Sequence, residues 1–148
     1  MTNQTNRAAF LLRLALAATY ISAYSGRINL FGGHPDGWER FLKYASDVNS
    51  YAPESLKLFL AITATVLEIV ISILLIVGFQ TRKVAVASGV LTSLFALAMT
   101  YSFGIKEPLD YGVFVNFTAA FLLATLPEHI LSLDQYLAKR DQSKKLIQ

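Results

Sequence analysis

The stretch from Leu56 to Phe79 limits this chain more than any other part of it. It is apolar almost without a break, and residues 69–79 show no polar face at all. A surface helix of a soluble protein keeps a polar stripe toward water. A run of about 20 mostly apolar residues is instead what a helix needs to cross the hydrocarbon core of a bilayer. The stretch therefore reads as a membrane span, and a soluble bundle of buried helices is the poorer account of it. Glu68 is the feature inside it that needs explaining.

Three further stretches follow the same pattern, at about 8–24, 84–103 and 111–126. The last is short, with Pro108 ahead of it and Pro127 behind, and proline is a common bracket around a helix. The fold class expected is all-α: a four-transmembrane-helix antiparallel bundle forming a single membrane domain over residues 1–148. The turn at 80–83 is too tight for anything but antiparallel neighbours on its two sides. The first stretch also has the look of a secretory signal, with Arg7 and Arg13, an apolar run and small residues at 22–25. Three more spans behind it favour a retained first helix.

The connection between the first two spans has a pattern of its own. Asp36 with Glu39 three residues later forms a candidate capping box. Trp38, Phe41, Leu42 and Ala45 then repeat at helical spacing, with Glu39, Arg40 and Lys43 turned elsewhere. This predicts a short amphipathic helix over about 36–45, lying in the outer interface or closing the bundle as a lid. The tail at 132–148 repeats the arrangement, with Ser132 and Gln135 followed by Leu133, Tyr136 and Leu137.

Cation placement sets the orientation. Arg7, Arg13, Arg82, Lys83, Lys139, Arg140, Lys144 and Lys145 fall on one side, and Arg27, Arg40, Lys43, Lys57 and Lys106 on the other, a split of eight to five. The richer side is expected to be the cytoplasm, placing both termini there and the protein in the cytoplasmic membrane. Tyr20, Tyr24, Trp38, Tyr44, Tyr51, Tyr101 and Tyr111 gather toward the opposite interface, as an aromatic belt does. The net charge of +3 points to the anionic membrane surface and not to nucleic acid, because the basic residues flank apolar spans.

Composition narrows the chemistry. The chain is 54% hydrophobic and 16% charged, against about a quarter charged in soluble domains. Having no cysteine, it can build no disulfide, thiolate metal site or iron–sulfur cluster. Its two histidines, His34 and His129, lie outside the spans, so paired haem ligation within the membrane is excluded. No phosphate-binding loop, dinucleotide fingerprint or nucleophile–histidine–acid set is present, and Gly32-Gly33 reads as a plain turn. No metal site and no intrinsic cofactor are expected.

Strongly polar residues within the spans are Arg13, Glu68 and Asn116. Such groups are costly in hydrocarbon and belong in the bundle interior. Their helical neighbours are small or polar, which suits helix–helix contact. Glu68 shares a face with Ala61, Ala64, Thr65 and Ser72; Asn116 with Gly112, Ala119, Ala120 and Leu123; Arg13 with Ala9, Leu16, Ala17, Tyr20 and Tyr24. At about 1.5 Å per residue, an extended Arg13 comes close to Glu68 in depth. An Arg13–Glu68 ion pair is expected, with Asn116 and Tyr20 completing either a structural cluster or a pocket for a small polar head group.

In order and spacing these segments resemble the DoxX-like four-helix membrane proteins, over nearly the full chain. The resemblance is carried by Leu12-Arg13 opening the first span and Ser25-Gly26-Arg27 closing it, where the family often has a glycine–lysine pair. It continues through Leu67-Glu68 and the run into Gly78-Phe79-Gln80-Thr81-Arg82, then Asn116, then Ser132-Leu133-Asp134. Arg27 keeps the charge of the usual lysine, whereas the long outer loop departs from compact members. The resemblance implies a four-helix bundle, and an association with quinone-linked enzymes such as thiosulfate:quinone oxidoreductase. A redox centre would then be a bound quinone or lie on a partner subunit.

Two functions of different classes follow as expectations. One is a redox-associated subunit that binds a quinone-like head group near Arg13, Tyr20, Glu68 and Asn116. The other is a non-catalytic structural or partner-binding subunit, or a homo-oligomer, in which the same cluster only fixes the packing. A transporter ranks third.

Overall fold

A computed structural model describes residues 3–30, 35–126 and 131–145. Pro127, His34, His129 and the Gly32-Gly33 turn lie outside the described residues. The described residues are helical, with no strand among them. In chain order the helices are α1 (Asn3–Ser25), α2 (Gly37–Val48), α3 (Glu54–Val77), α4 (Thr81–Phe103), α5 (Lys106–Asp110), α6 (Val113–Thr125) and α7 (Leu133–Lys145).

Three of these, α1, α3 and α4, are long and apolar enough to cross a membrane. Their outer faces are apolar as well: Leu58, Ile62, Val66 and Ile73 of α3, and Val90, Leu94 and Leu97 of α4, are exposed. That face suits lipid. The stretch at 111–126 behaves differently from the expectation. Gly112 takes a left-handed φ of 64° and separates α5 from α6, so the helix begins only at Val113. Pro108 is buried within α5 instead of standing ahead of a continuous span. The 13 residues of α6 rise roughly 20 Å at 1.5 Å each, short of a bilayer core.

Helix α1 packs on α3, α3 on α4, α4 on α6, and α6 back on α1. Their shared core holds Leu16, Ala17 and Tyr20 from α1, Ile71 and Leu75 from α3, Ala85 and Leu91 from α4, and Ala120 and Leu123 from α6. Small residues line the faces of α4 that meet its neighbours, as close helix contact requires. Ala85, Ser88, Gly89, Thr92 and Ala96 are all buried. A Cβ on Gly89 would lie 2.8 Å from the Phe121 ring, so only glycine admits this approach of α4 and α6.

Two ends of the bundle are conveniently named by their connections. The turn end carries Gly78–Gln80 between α3 and α4. The loop end carries the long α1–α3 connection, in which α2 packs against both α3 and α4. The amphipathic helix expected there is present and runs on to Val48, but its start is not a capping box. Asp36 makes no side-chain cap bond; its Oδ2 accepts from Arg40 Nε at 2.7 Å instead. An arginine one turn along offers a charge-assisted partner that outcompetes the backbone N–H. Farther along, Ser102 Oγ donates to the Val48 carbonyl at 2.6 Å, tying the end of α2 to the end of α4.

Aromatic rings gather at this same end. Tyr44 stacks on Phe103 at 5.7 Å and lies 6.4 Å from Tyr111, while Tyr51 and Tyr101 meet edge-on at 5.6 Å. Burial, with Tyr111 and Glu107 alongside, pushes the Tyr44 phenol up. It therefore stays neutral and donates to Glu107 Oε1 at 3.4 Å.

Candidate functional site

The polar residues of the spans separate into three clusters at different depths. Nearest the loop end is Glu68, 3% exposed. Its partner is Arg27, not Arg13. Arg27 Nη1 donates to Glu68 Oε2 at 2.5 Å and to Thr65 Oγ1 at 2.8 Å, and Nη2 reaches Oε1 at 3.5 Å. Thr65 Oγ1 in turn donates to the Ala61 carbonyl at 3.0 Å. The Phe41 ring of α2 covers the guanidinium, with its centroid 3.6 Å from Cζ. The amphipathic helix thus closes the loop end by a cation–π contact onto a buried ion pair.

At mid-bundle, Tyr20 leaves α1 and ends among hydroxyls of α4. Its Oη lies 2.7 Å from Ser88 Oγ, 2.7 Å from Thr92 Oγ1 and 3.1 Å from the Ser88 carbonyl. Thr92 Oγ1 also donates to the Ser88 carbonyl at 2.9 Å. Every member of this group has a partner, as a buried polar network requires.

The third cluster sits at the turn end. Arg13 is 1% exposed. Its Nη2 donates to the Leu131 carbonyl at 2.7 Å, and the guanidinium faces the Phe10 ring at 5.3 Å. Nε and Nη1 find no partner among the described residues. Gly78 makes the fit possible: it has φ +70°, and a Cβ there would lie 2.5 Å from both Arg13 Nη1 and Ser132 Cβ. Gly78 also ends α3, with the Gly78 and Phe79 N–H groups both donating to the Leu74 carbonyl.

Asp134 completes this cluster from α7. Its two carboxylate oxygens accept from the Gln80 N–H at 2.7 Å and the Thr81 N–H at 2.8 Å. Its own N–H donates to the Gly78 carbonyl at 3.0 Å. Gln80 supplies no side-chain cap to α4, so an aspartate 54 positions along the chain caps that helix from another element. α7 starts as the tail pattern predicts, with the Gln135 N–H donating to Ser132 Oγ at 3.1 Å.

The expected Arg13–Glu68 pair is therefore corrected. In a helix each Cα–Cβ bond tilts toward the N-terminus. α1 starts at the turn end, so Arg13 leans toward that end. The antiparallel α3 starts at the loop end, so Glu68 leans away from Arg13. The two side chains therefore diverge, and an extended Arg13 does not close the gap to Glu68. Asn116 is half-buried on α6 and makes no side-chain hydrogen bond among the described residues. It does not join the other three. Sequence reasoning missed Arg27, Phe41 and Asp134 as partners. The available signals were the cation closing the first span, the apolar stripe of α2, and an aspartate beside a helix-starting serine.

Two open grooves lie away from these groups. One, of about 500 Å³, is an open groove between the end of α3 and α7. The other, of about 180 Å³, separates α2 from the start of α3. Among the described residues no group of three or more histidine, cysteine or carboxylate side chains could hold a metal ion.

An apolar outer surface, buried ions paired inside and long antiparallel helices define a multi-helix integral membrane protein. The chain belongs to the DoxX family, whose model matches residues 8–102. The matched segment takes in α1 to α4 nearly complete, with both Arg27–Glu68 and the Arg13–Gly78 approach. α6 and the capping Asp134 lie beyond it. No curated protein and no solved structure gives a match.

Proposed function

We propose that this chain is a non-catalytic membrane subunit that holds a partner, in the setting of a quinone-linked redox assembly, and that its internal polar residues serve packing. In this reading α1, α3, α4 and the broken α5–α6 segment together make one four-span membrane domain over residues 1–148, with both termini on the cytoplasmic side of the cell membrane. The observation that carries it is the engagement of Glu68. The carboxylate is paired with Arg27, the pair is backed by Thr65, and Phe41 seals it from the loop end. Glu68 is engaged by a protein cation where a head group would have to bind, and it lines neither of the two open grooves. Redox chemistry would then reside on a partner subunit or on a quinone held elsewhere in the assembly, an inference that leans on the family's associations and not on a site in this chain.

The alternative is that a quinone-like head group binds at Glu68 and Tyr20. One observation favours it. Arg27 follows the end of α1 and is not held within a helix, so its pair with Glu68 opens if α2 lifts. Purification of the full chain in mild detergent, followed by mass spectrometry of co-eluting proteins, lipids and quinones, separates the two. A stoichiometric protein partner without quinone is expected. Stoichiometric quinone, retained by the wild type and lost in Glu68→Gln, would overturn the packing role.

A further inference from the structure

The groove at the turn end has a built chemistry that neither packing nor redox association uses. Its walls combine exposed apolar side chains, Val77 and Leu131, with polar ones, Ser132, Gln135, Tyr136 and Lys139. It lies at the end of a membrane-crossing helix, where hydrocarbon gives way to head groups. We infer that it is a binding site for the phosphate of an anionic phospholipid, with Lys139 and Gln135 toward the phosphate and Val77 and Leu131 toward the acyl chains.

Charge argues for this occupant. Among the described side chains, the turn end carries Arg7, Arg13, Arg82, Lys83, Lys139 and Arg140 against Asp134, whereas the loop end carries five cations against seven acids. The excess is not spread evenly around the groove. Arg13 is buried directly behind the Leu131–Ser132 wall, bonded to the Leu131 carbonyl and pressed toward Ser132 across Gly78. Two of its nitrogens have no partner among the described residues. Asp134, the carboxylate of this cluster among the described residues, is already committed to the Gln80 and Thr81 N–H groups. A fixed, incompletely neutralised cation under the wall and a mobile one at the rim favour an anion in between. The apolar wall then separates lipid from free phosphate, because a lone phosphate gains nothing from Val77 or Leu131.

Leu131 supports the same occupant independently. It holds a left-handed φ of 50°, which is costly for a residue with a Cβ, and its side chain is 69% exposed. Strained backbone that presents leucine to the groove is accounted for when the side chain meets an acyl chain.

The test is native mass spectrometry of the full chain released from detergent, titrated with phosphatidylglycerol, phosphatidylcholine or inorganic phosphate. One phosphatidylglycerol is expected to bind per chain, saturably and in preference to phosphatidylcholine. Lys139→Gln should weaken that binding roughly fivefold, since each lysine near an anionic surface contributes about 1 kcal/mol. Arg82→Gln, at an exposed cation of the same end outside the groove, should change it less than twofold. Equal binding of the two lipids overturns the site. So does an equal loss in Arg82→Gln, which would mean a diffuse surface potential. Inorganic phosphate that binds as tightly as the anionic lipid would show a free-anion site and overturn the lipid assignment.

Discussion

Removing one partner of a buried ion pair costs about 3–5 kcal/mol, because the survivor is stranded, but the two partners here are not stranded equally. The Glu68 side chain is 4% exposed and the Arg27 side chain 13%. Arg27 also follows the last residue of α1 and can swing its long side chain to the interface. Glu68 is fixed within α3 and has no such route. Arg27→Gln is therefore expected to cost about 3–5 kcal/mol, and Glu68→Gln, whose amide oxygen can still accept from Arg27, only about 1–3 kcal/mol. At roughly 2–4 °C per kcal/mol for a chain of this size, the first should melt on the order of 10 °C lower and the second about 5 °C lower. Trp38 is the single tryptophan, and its ring lies 5.6 Å from that of Phe41. Its emission during thermal unfolding in detergent thus reports whether α2 keeps its seat on the pair. The double variant should lose about 1–3 kcal/mol less than the sum of the singles. Arg13→Gln combined with Glu68→Gln should be additive to within about 0.5 kcal/mol. Coupling of Glu68 to Arg13 and not to Arg27 would refute the pairing.

Three other outcomes follow from the clusters. Asp134→Ala removes the cap on α4 and should cost about 1–2 kcal/mol, read as faster amide exchange at residues 80–84 with little change at the loop end. Tyr20→Phe leaves Thr92 Oγ1 bonded to the Ser88 carbonyl but takes from the buried Ser88 Oγ its Tyr20 partner, so its cost should be about 1–3 kcal/mol in detergent melting; a larger loss would mean the hydroxyl does more than pack. Reporter fusions at Gln148 and in the 35–53 loop should place the first in the cytoplasm and the second outside, following the eight-to-five division of cations.

The long helices were legible because their signal is one of bulk hydrophobicity. Glu54–Val77 and Thr81–Phe103 follow the apolar runs read at 56–79 and 84–103 to within a few residues. α2 was legible from its stripe, and α7 from Ser132 and Gln135, since local periodicity and a capping serine act within one turn. The stretch at 111–126 was harder. Its composition is apolar throughout, but whether Gly112 continues a helix or turns left-handed depends on how α5 packs beneath it, and hydropathy carries no record of that. The Asp36–Glu39 box failed for a related reason: Arg40 competes for the same carboxylate, and a motif of two positions takes no account of the third.

Which polar residues sit inside could be read from their faces; which of them touch could not. Arg13, Glu68 and Tyr20 are buried as their small neighbours foretold, but the expected Arg13–Glu68 pair does not form. The partners came from elsewhere: Arg27 from beyond the end of α1 for Glu68, the Leu131 carbonyl ahead of α7 for Arg13, and Ser88 and Thr92 of α4 for Tyr20. Depth along a span is a backbone coordinate, and in antiparallel helices the side-chain tilt separates groups that depth alone would pair. A carboxylate on a helix descending from the loop end leans back toward that end. It is best met by a cation that enters from the loop, which is where Arg27 stands. The same tilt carries Arg13 toward the turn end, where it meets the carbonyl of Leu131 and the bare backbone of Gly78. Two buried charges that looked like one pair are thus two anchors, one fastening each end of α1 to the rest of the bundle.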